Sequence, residues 1–277
     1  MSTIKVTNLQ NPSASSAALV LNTDGTCSQL GVRNAIINGN PIINQRGYVS
    51  GTATSGANQY TLDRWRVVTS GQSITWTDSG NVRTVTAPAG GVEQVIEGIN
   101  LITGTYTLNW TGTATATVAG NAVAKGGNVS ITGGTDTTVR FSSGTVSLVQ
   151  FEPGTVATPF ERRIYGQELA LCQRYYAKST EGIAGGTSGR HNCFFYASYT
   201  TEVWGSVAFP VPMRASPTVT IYNNETGTSG QCVANGGGYP SATASGVSLF
   251  GFGSLSGSFG AYSGRAFSFY YIASVEL

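Results

Sequence analysis

The groups in this chain best suited to chemistry are aromatic rings and hydrogen-bonding side chains, not nucleophiles or metal ligands. It carries 4 Trp, 13 Tyr and 11 Phe against a single histidine, His191. An aromatic ring can lie against the apolar face of a pyranose while Asn, Gln, Asp or Arg groups bond its hydroxyls. This mixture therefore points to recognition of uncharged, hydroxyl-rich ligands. Five rings are the expected ligand contacts: Tyr60 and Trp76 in the N-terminal half, and Tyr222, Tyr239 and Tyr262 in the C-terminal third. Tyr239 and Tyr262 fall in Gly/Ser loops and are expected to be the more exposed. Trp65 and Trp110 sit in strand-like runs and read as core.

Catalytic patterns are thin. One histidine excludes H-E-x-x-H and any multi-histidine metal site, and no G-x-S-x-G, P-loop or dinucleotide fingerprint occurs. Gly251-Phe252-Gly253 is the nearest approach to the last and reads as a bend. A glycosidase needs two carboxyls about 5–10 Å apart. Glu93 and Glu97 on one extended strand would be separated by about 13 Å. Asp63 is flanked by Arg64 and Arg66, which should hold its pKa down, the wrong direction for a general acid. No catalytic residue, cofactor or metal site is expected, and the chain reads as a non-enzyme. A carboxylate pair assembled across strands or subunits is the alternative.

Charge narrows the partners. The net charge is +2 with no Lys/Arg run, so nucleic acid is not an expected ligand. No apolar run approaches the ~18 residues that span a bilayer, and the N-terminus lacks a secretory pattern. Membrane insertion is thus not expected, and folding in a reducing cytoplasm is. Cys27, Cys172, Cys193 and Cys232 form no C-x-x-C pair and are expected to be buried free thiols.

The elements that must position these rings are strands. Charged residues make up 10% of the chain and 37 residues are Gly, whereas a typical domain has roughly 25% charged residues and about 7% Gly. With 40% hydrophobic residues the chain has the apolar surface to fold, and it reads as all-β with Gly-punctuated turns. Residues 1–32 form an N-terminal extended arm, too short to bury its own core and so frayed or docked. Residues 33–158 carry alternating runs that pack as one β-sandwich, and residues 183–277 read as a second β domain. There Phe267, Phe269, Tyr271, Ala273 and Val275 share a face, and Val247-Ser248-Leu249-Phe250 is a further strand candidate. Between them, 159–182 is a connector. Thr158-Pro159-Phe160-Glu161 has the form of a capping box, with the helix continuing from Gln167 to Lys178. Tyr165, Leu169, Cys172 and Tyr176 make its stripe, for packing on a sheet or as a short seam between symmetry mates.

Several stretches resemble a known family. Asn38-Gly39-Asn40, Ile43-Asn44-Gln45-Arg46-Gly47 and Tyr60-Thr61-Leu62-Asp63-Arg64-Trp65 resemble the opening of a jelly-roll module of bacteriophage tail fibres, itself similar to carbohydrate-binding modules. Gln150-Phe151-Glu152-Pro153-Gly154, Ala157 to Arg163, Leu169 to Tyr176 and Phe209 to Arg214 are similar to the same proteins. The arm resembles the N-termini of tail-fibre-like proteins of marine cyanobacterial phages. The resemblance implies a virion structural protein made in the host cytoplasm: a homotrimer whose arm, through apolar residues such as Ile4, Val6, Leu9, Leu19 and Leu21, anchors to other tail or capsid proteins. Its β domains would then meet host cell-surface polysaccharide, the C-terminal one being distal. Two alternatives stay open: a purely architectural decoration or adaptor protein, and a tailspike-like polysaccharide depolymerase.

Overall fold

A computed structural model describes residues 33–179, 193–197 and 200–277, together with the backbone of 8–9, 19–21 and 27–28. Three short strands of the arm, β1 (Asn8–Leu9), β2 (Leu19–Leu21) and β3 (Cys27–Ser28), pair antiparallel with one another. Ile4 and Val6 lie outside the described residues, as do the side chains of Leu9, Leu19 and Leu21.

Eleven strands follow: β4 (Gln59–Tyr60), β5 (Arg66–Val67), β6 (Thr75–Ser79), β7 (Val82–Ala87), β8 (Val92–Ile96) and β9 (Gly104–Thr111). Next come β10 (Thr115–Val118), β11 (Asn121–Val123), β12 (Gly127–Ile131), β13 (Thr137–Ser142) and β14 (Gly144–Pro153). They form two antiparallel sheets, β11-β10-β13-β8-β5-β4 and β12-β9-β14-β7-β6. From β8 onward the chain repeatedly crosses between the sheets, the jelly-roll habit that leaves one core between two layers. Alternation does the sorting: Thr137, Val139 and Phe141 of β13 point inward. Trp65 and Trp110 fill that core as their pattern predicts, Trp110 edge-on to Phe141 at 5.3 Å.

β8 and β14 are buried on both faces, and the reason lies outside the sandwich. On β8 the outer-face Glu93 is covered by Arg66, while Gln94, on the core face opposite Val139, bonds both the N–H and the C=O of Ile37, at 2.8 and 2.7 Å. Gln150 and Glu152 of β14 bond Thr158. This changes the capping-box reading. Thr158 is spent on Glu152, and the Glu161 carboxylate accepts the N–H groups of Arg33 and Asn34, so neither caps a helix. The helix α1 is shorter than expected, Tyr165–Gln173, and starts at Ile164 without a side-chain cap. Leu169 and Cys172 pack on Ile37 and Ile43, which lie in the loop segment before β4, so the helix rests on loop residues and not on the sheet expected for a connector. Tyr176 is no longer helical: β15 (Tyr176–Lys178) is drawn into a ladder with the last strand.

The second region has β16 (Cys193–Ala197), β17 (Glu202–Ala208), β18 (Thr218–Tyr222), β19 (Val233–Ala234), β20 (Ala242–Ser245), β21 (Gly251–Gly257) and β22 (Ala266–Ser274). The order β15-β22-β16-β17-β21-β20, with β18 and β19 also on β22, curls the sheet around a second core. Phe267, Phe269, Tyr271 and Ala273 line that core and Val275 packs on it, as their spacing predicts. Two readings change. Gly251-Phe252-Gly253 opens β21 and is not a bend, while 247–250 is the turn before it, because the Ser248 N–H bonds the Gly251 carbonyl at 2.8 Å. β19 lies within the Gly-rich tract from 227 to 238, with Cys232 and Ala234 buried.

The two regions meet through buried charge. The Glu276 carboxylate pairs with both Arg46 and Arg64. Arg64 is 1% exposed, takes a left-handed backbone (φ 69°), donates to the Val95 carbonyl and stacks 3.6 Å over the Tyr175 ring. The Leu277 carbonyl accepts from Tyr60 and Arg66, each at 2.7 Å, and Arg66 also binds Glu93. Arg46, Arg64 and Arg66 therefore form the junction, and Asn38, Gln45, Asp63 and Trp65 brace it from the first region. Asn38 bonds the carbonyls of Ile43 and Asp63, and the Trp65 indole N–H bonds Asn38.

Candidate functional site

The five expected rings do not converge, and most are spent inside the fold. Tyr60 is held between Arg46 and Arg66 at the junction. Trp76 lies under the Arg83 guanidinium at 4.6 Å and against Tyr48. Tyr222 stacks on Tyr270 across β18 and β22, rings 4.9 Å apart and 5° from parallel. Tyr262 packs edge-on to Phe267, and a Cβ at Gly238 would lie 2.4 Å from its ring. Of the two loop tyrosines expected to be exposed, Tyr262 is thus half-buried. Tyr239 is exposed, and its hydroxyl donates to Glu225 at 3.0 Å.

Two rings that the sequence reading did not single out stand side by side in solvent. On β16 and β17, Tyr196 and Trp204 are direct cross-strand partners, 69% and 56% exposed. Their outward aim follows from their neighbours. Phe195 and Val203, one residue away on each strand, are anchored in the core, Phe195 edge-on to Phe269 at 5.2 Å. Successive residues of a strand point to opposite faces, so Tyr196 and Trp204 must face out. Gly205 secures the arrangement: a Cβ there would sit 2.1 Å from the Phe195 ring. The signal was present in the alternation of Glu202-Val203-Trp204, but the unbroken run Phe194-Phe195-Tyr196 hid which ring was core.

The surroundings of the pair are hydroxylic. Ser254 is the register partner of Trp204 and Ser256 that of Glu202, and Ser245 and Thr243 continue the same face on β20. The Ser254 hydroxyl donates to Glu202 at 2.9 Å, fixing a carboxylate beside the indole. Directly paired side chains on one sheet face lie about 5 Å apart. Tyr196 and Trp204 thus form a two-ring surface edged by one acid and several hydroxyls. It can bury apolar ring faces while offering donors and acceptors around them.

Every carboxylate among the described residues is already engaged. Glu93 pairs with Arg66, and Glu97 with Arg174 and Arg214, so these two are structural. Asp63 departs from expectation. Its neighbours Arg64 and Arg66 turn to Glu276 and Glu93, burial pushes its carboxyl above the usual range, and Arg46 and the Gln45 hydrogen bonds only partly oppose that. Among the described residues no group of three or more His, Cys, Asp or Glu side chains is placed to hold a metal ion. His191 lies outside them. Cys172, Cys193 and Cys232 are free thiols, Cys193 half-buried rather than buried, and the Cys27 side chain is outside the described residues. No helix among those residues is long and apolar enough to cross a membrane. No protein-family model matches the chain, and no curated protein matches it.

Proposed function

We propose that this is a phage virion structural protein, a tail-fibre or receptor-binding protein that attaches the particle to host surface glycans. The observation that carries this reading is the exposed Tyr196–Trp204 pair with its rim of Ser, Thr and Glu. Two large rings left in water on an ordered sheet are available for stacking on sugars, and a rigid strand pair lets them do so with little further loss of conformational freedom. The resemblance of the motifs around the junction to tail fibres and the N-terminal arm support the same reading.

Homotrimer formation is part of the proposal. The outer face of β22 and its neighbours carries Tyr222, Tyr270, Ile272 and Thr220, and the Tyr270 hydroxyl is buried without a hydrogen-bond partner in the single chain. A sheet face with Tyr222 and Tyr270 stacked on it is one that a second copy can cover. Mass photometry tests this: a trimer is expected, and a monomer removes it.

For the glycan reading the experiment is titration of host polysaccharide fragments into the full chain and its Trp204→Ala and Tyr196→Ala variants. Each variant is expected to lose at least tenfold in affinity with an unchanged melting temperature. Undiminished binding by both, or no binding of host cells by the parent, refutes it; the second result favours a purely architectural role in the tail or capsid.

A further inference from the structure

A groove of about 320 Å³ opens on the other module, between the β6–β7 hairpin tip and the segment leading into α1. Ile42, Val82, Phe160 and Tyr165, the last 61% exposed, are its apolar lining. Asn40 fixes the hairpin: its amide donates to the Asn81 carbonyl at 2.7 Å, and its oxygen accepts the Arg83 N–H at 3.0 Å. The hollow sets a few apolar side chains among hydrogen-bonding and charged ones, a lining suited to a small polar ligand and not to an apolar one.

The charges lining it do not balance. Arg83 is held by both oxygens of Asp78, at 2.8 Å each, and Arg163 by Glu168. Arg162 is different. It is exposed at the rim, 5.9 Å from the Phe160 ring, with only a long contact to the Asn81 carbonyl and no carboxylate within ion-pair distance among the described residues. A guanidinium near the Phe160 ring, in a groove also lined by Tyr165 and Asn81, suits a hydroxylated ring that carries an anion.

We infer that this groove binds an acidic saccharide residue, the sugar face lying against Tyr165 and Phe160 and its anionic group pairing with Arg162. The inference goes beyond the glycan contact proposed above, because groove and ring pair share no residue and lie on different sheets.

The test is calorimetry on the full chain with uronate-bearing, sialate-bearing and sulfated oligosaccharides, their neutral counterparts of equal length, and acetate. At least one acidic oligosaccharide should bind tenfold or more tightly than its neutral counterpart, the probe that wins identifying the anion. Arg162→Gln should erase that preference and the salt dependence of binding, and Tyr165→Ala should weaken acidic and neutral sugars alike. Trp204→Ala should leave the preference intact, which separates failure here from failure of the Tyr196–Trp204 reading. Equal binding of neutral sugars, equal competition by acetate, no effect of Arg162→Gln, or no binding of any acidic probe overturns it. Both substituted side chains are exposed, so the variants should melt as the parent does.

Discussion

Replacing Glu276 with Ala removes the one carboxylate shared by Arg46 and Arg64, and the structure sets the size of the effect. Arg64 is 1% exposed and the Glu276 side chain 8%, so the cation left behind cannot simply return to water. Removing one partner of a buried ion pair costs about 3–5 kcal/mol, most of it the penalty on the stranded charge. The lower end applies, because Arg64 keeps the Val95 carbonyl and the Tyr175 ring, and Arg46, at 16% exposed, can swing outward. A loss of about 3 kcal/mol lowers the melting temperature of a chain this size by roughly 6–12 °C. Glu276→Gln keeps an acceptor and should lose about half as much. Asp78→Ala is the control: that carboxylate is 51% exposed, and losing its pair with Arg83 should cost within about 1 kcal/mol. Denaturant unfolding at low and high salt measures all three. A loss under about 1 kcal/mol for Glu276→Ala, or one that vanishes in high salt, would mean the junction charges are solvated and the argument from burial is wrong.

Two further outcomes follow from burial. The Asp63 carboxyl is raised in the folded state, so its contribution to stability is full below the ordinary carboxylate range and is lost as pH rises through the raised value. Compared with Asp63→Asn over about pH 3 to pH 7, the parent should therefore gain relative stability toward acid. The opposite trend would show that Arg46 and the Gln45 hydrogen bonds outweigh desolvation. Burial also pushes the Cys193 thiol up to about 11 and Cys232 up to about 12, with Cys172 well above its usual range. In a Cys27→Ser background, a disulfide reagent near pH 8 should label none of the three in the folded protein and all three in denaturant, since the thiolate is the reacting form. Rapid labelling of any one before unfolding contradicts this.

Features set by local alternation were legible in the sequence. The period-two run from Phe267 to Val275 announced β22, and the Thr/Val/Phe pattern of 137–141 announced β13 with its inward ring. Features set by distant partners were not. Thr158 and Glu161 have capping spacing, but Glu152 and the N–H groups of Arg33 and Asn34 claim them first. Asp63 looked acid-shifted because its cations are adjacent in sequence, whereas in space they face other carboxylates. The ring pair at Tyr196 and Trp204 escaped for a related reason: which of three consecutive aromatics turns outward depends on β22, over sixty residues downstream, as the partner of β16.

β22 sits beside Tyr196 through Ala266 and runs without interruption to the residues just before Glu276 in the arginine cluster. Ten residues of extended chain cover about 33 Å, so one strand spans the whole path from the sheet that carries Tyr196 and Trp204 to the sandwich. A pull applied to a bound surface would travel along this strand as shear across several hydrogen bonds at once. It would be borne at the far end by a caged ion pair, with the short helix bypassed, so the joint is built as a strut and not as a hinge.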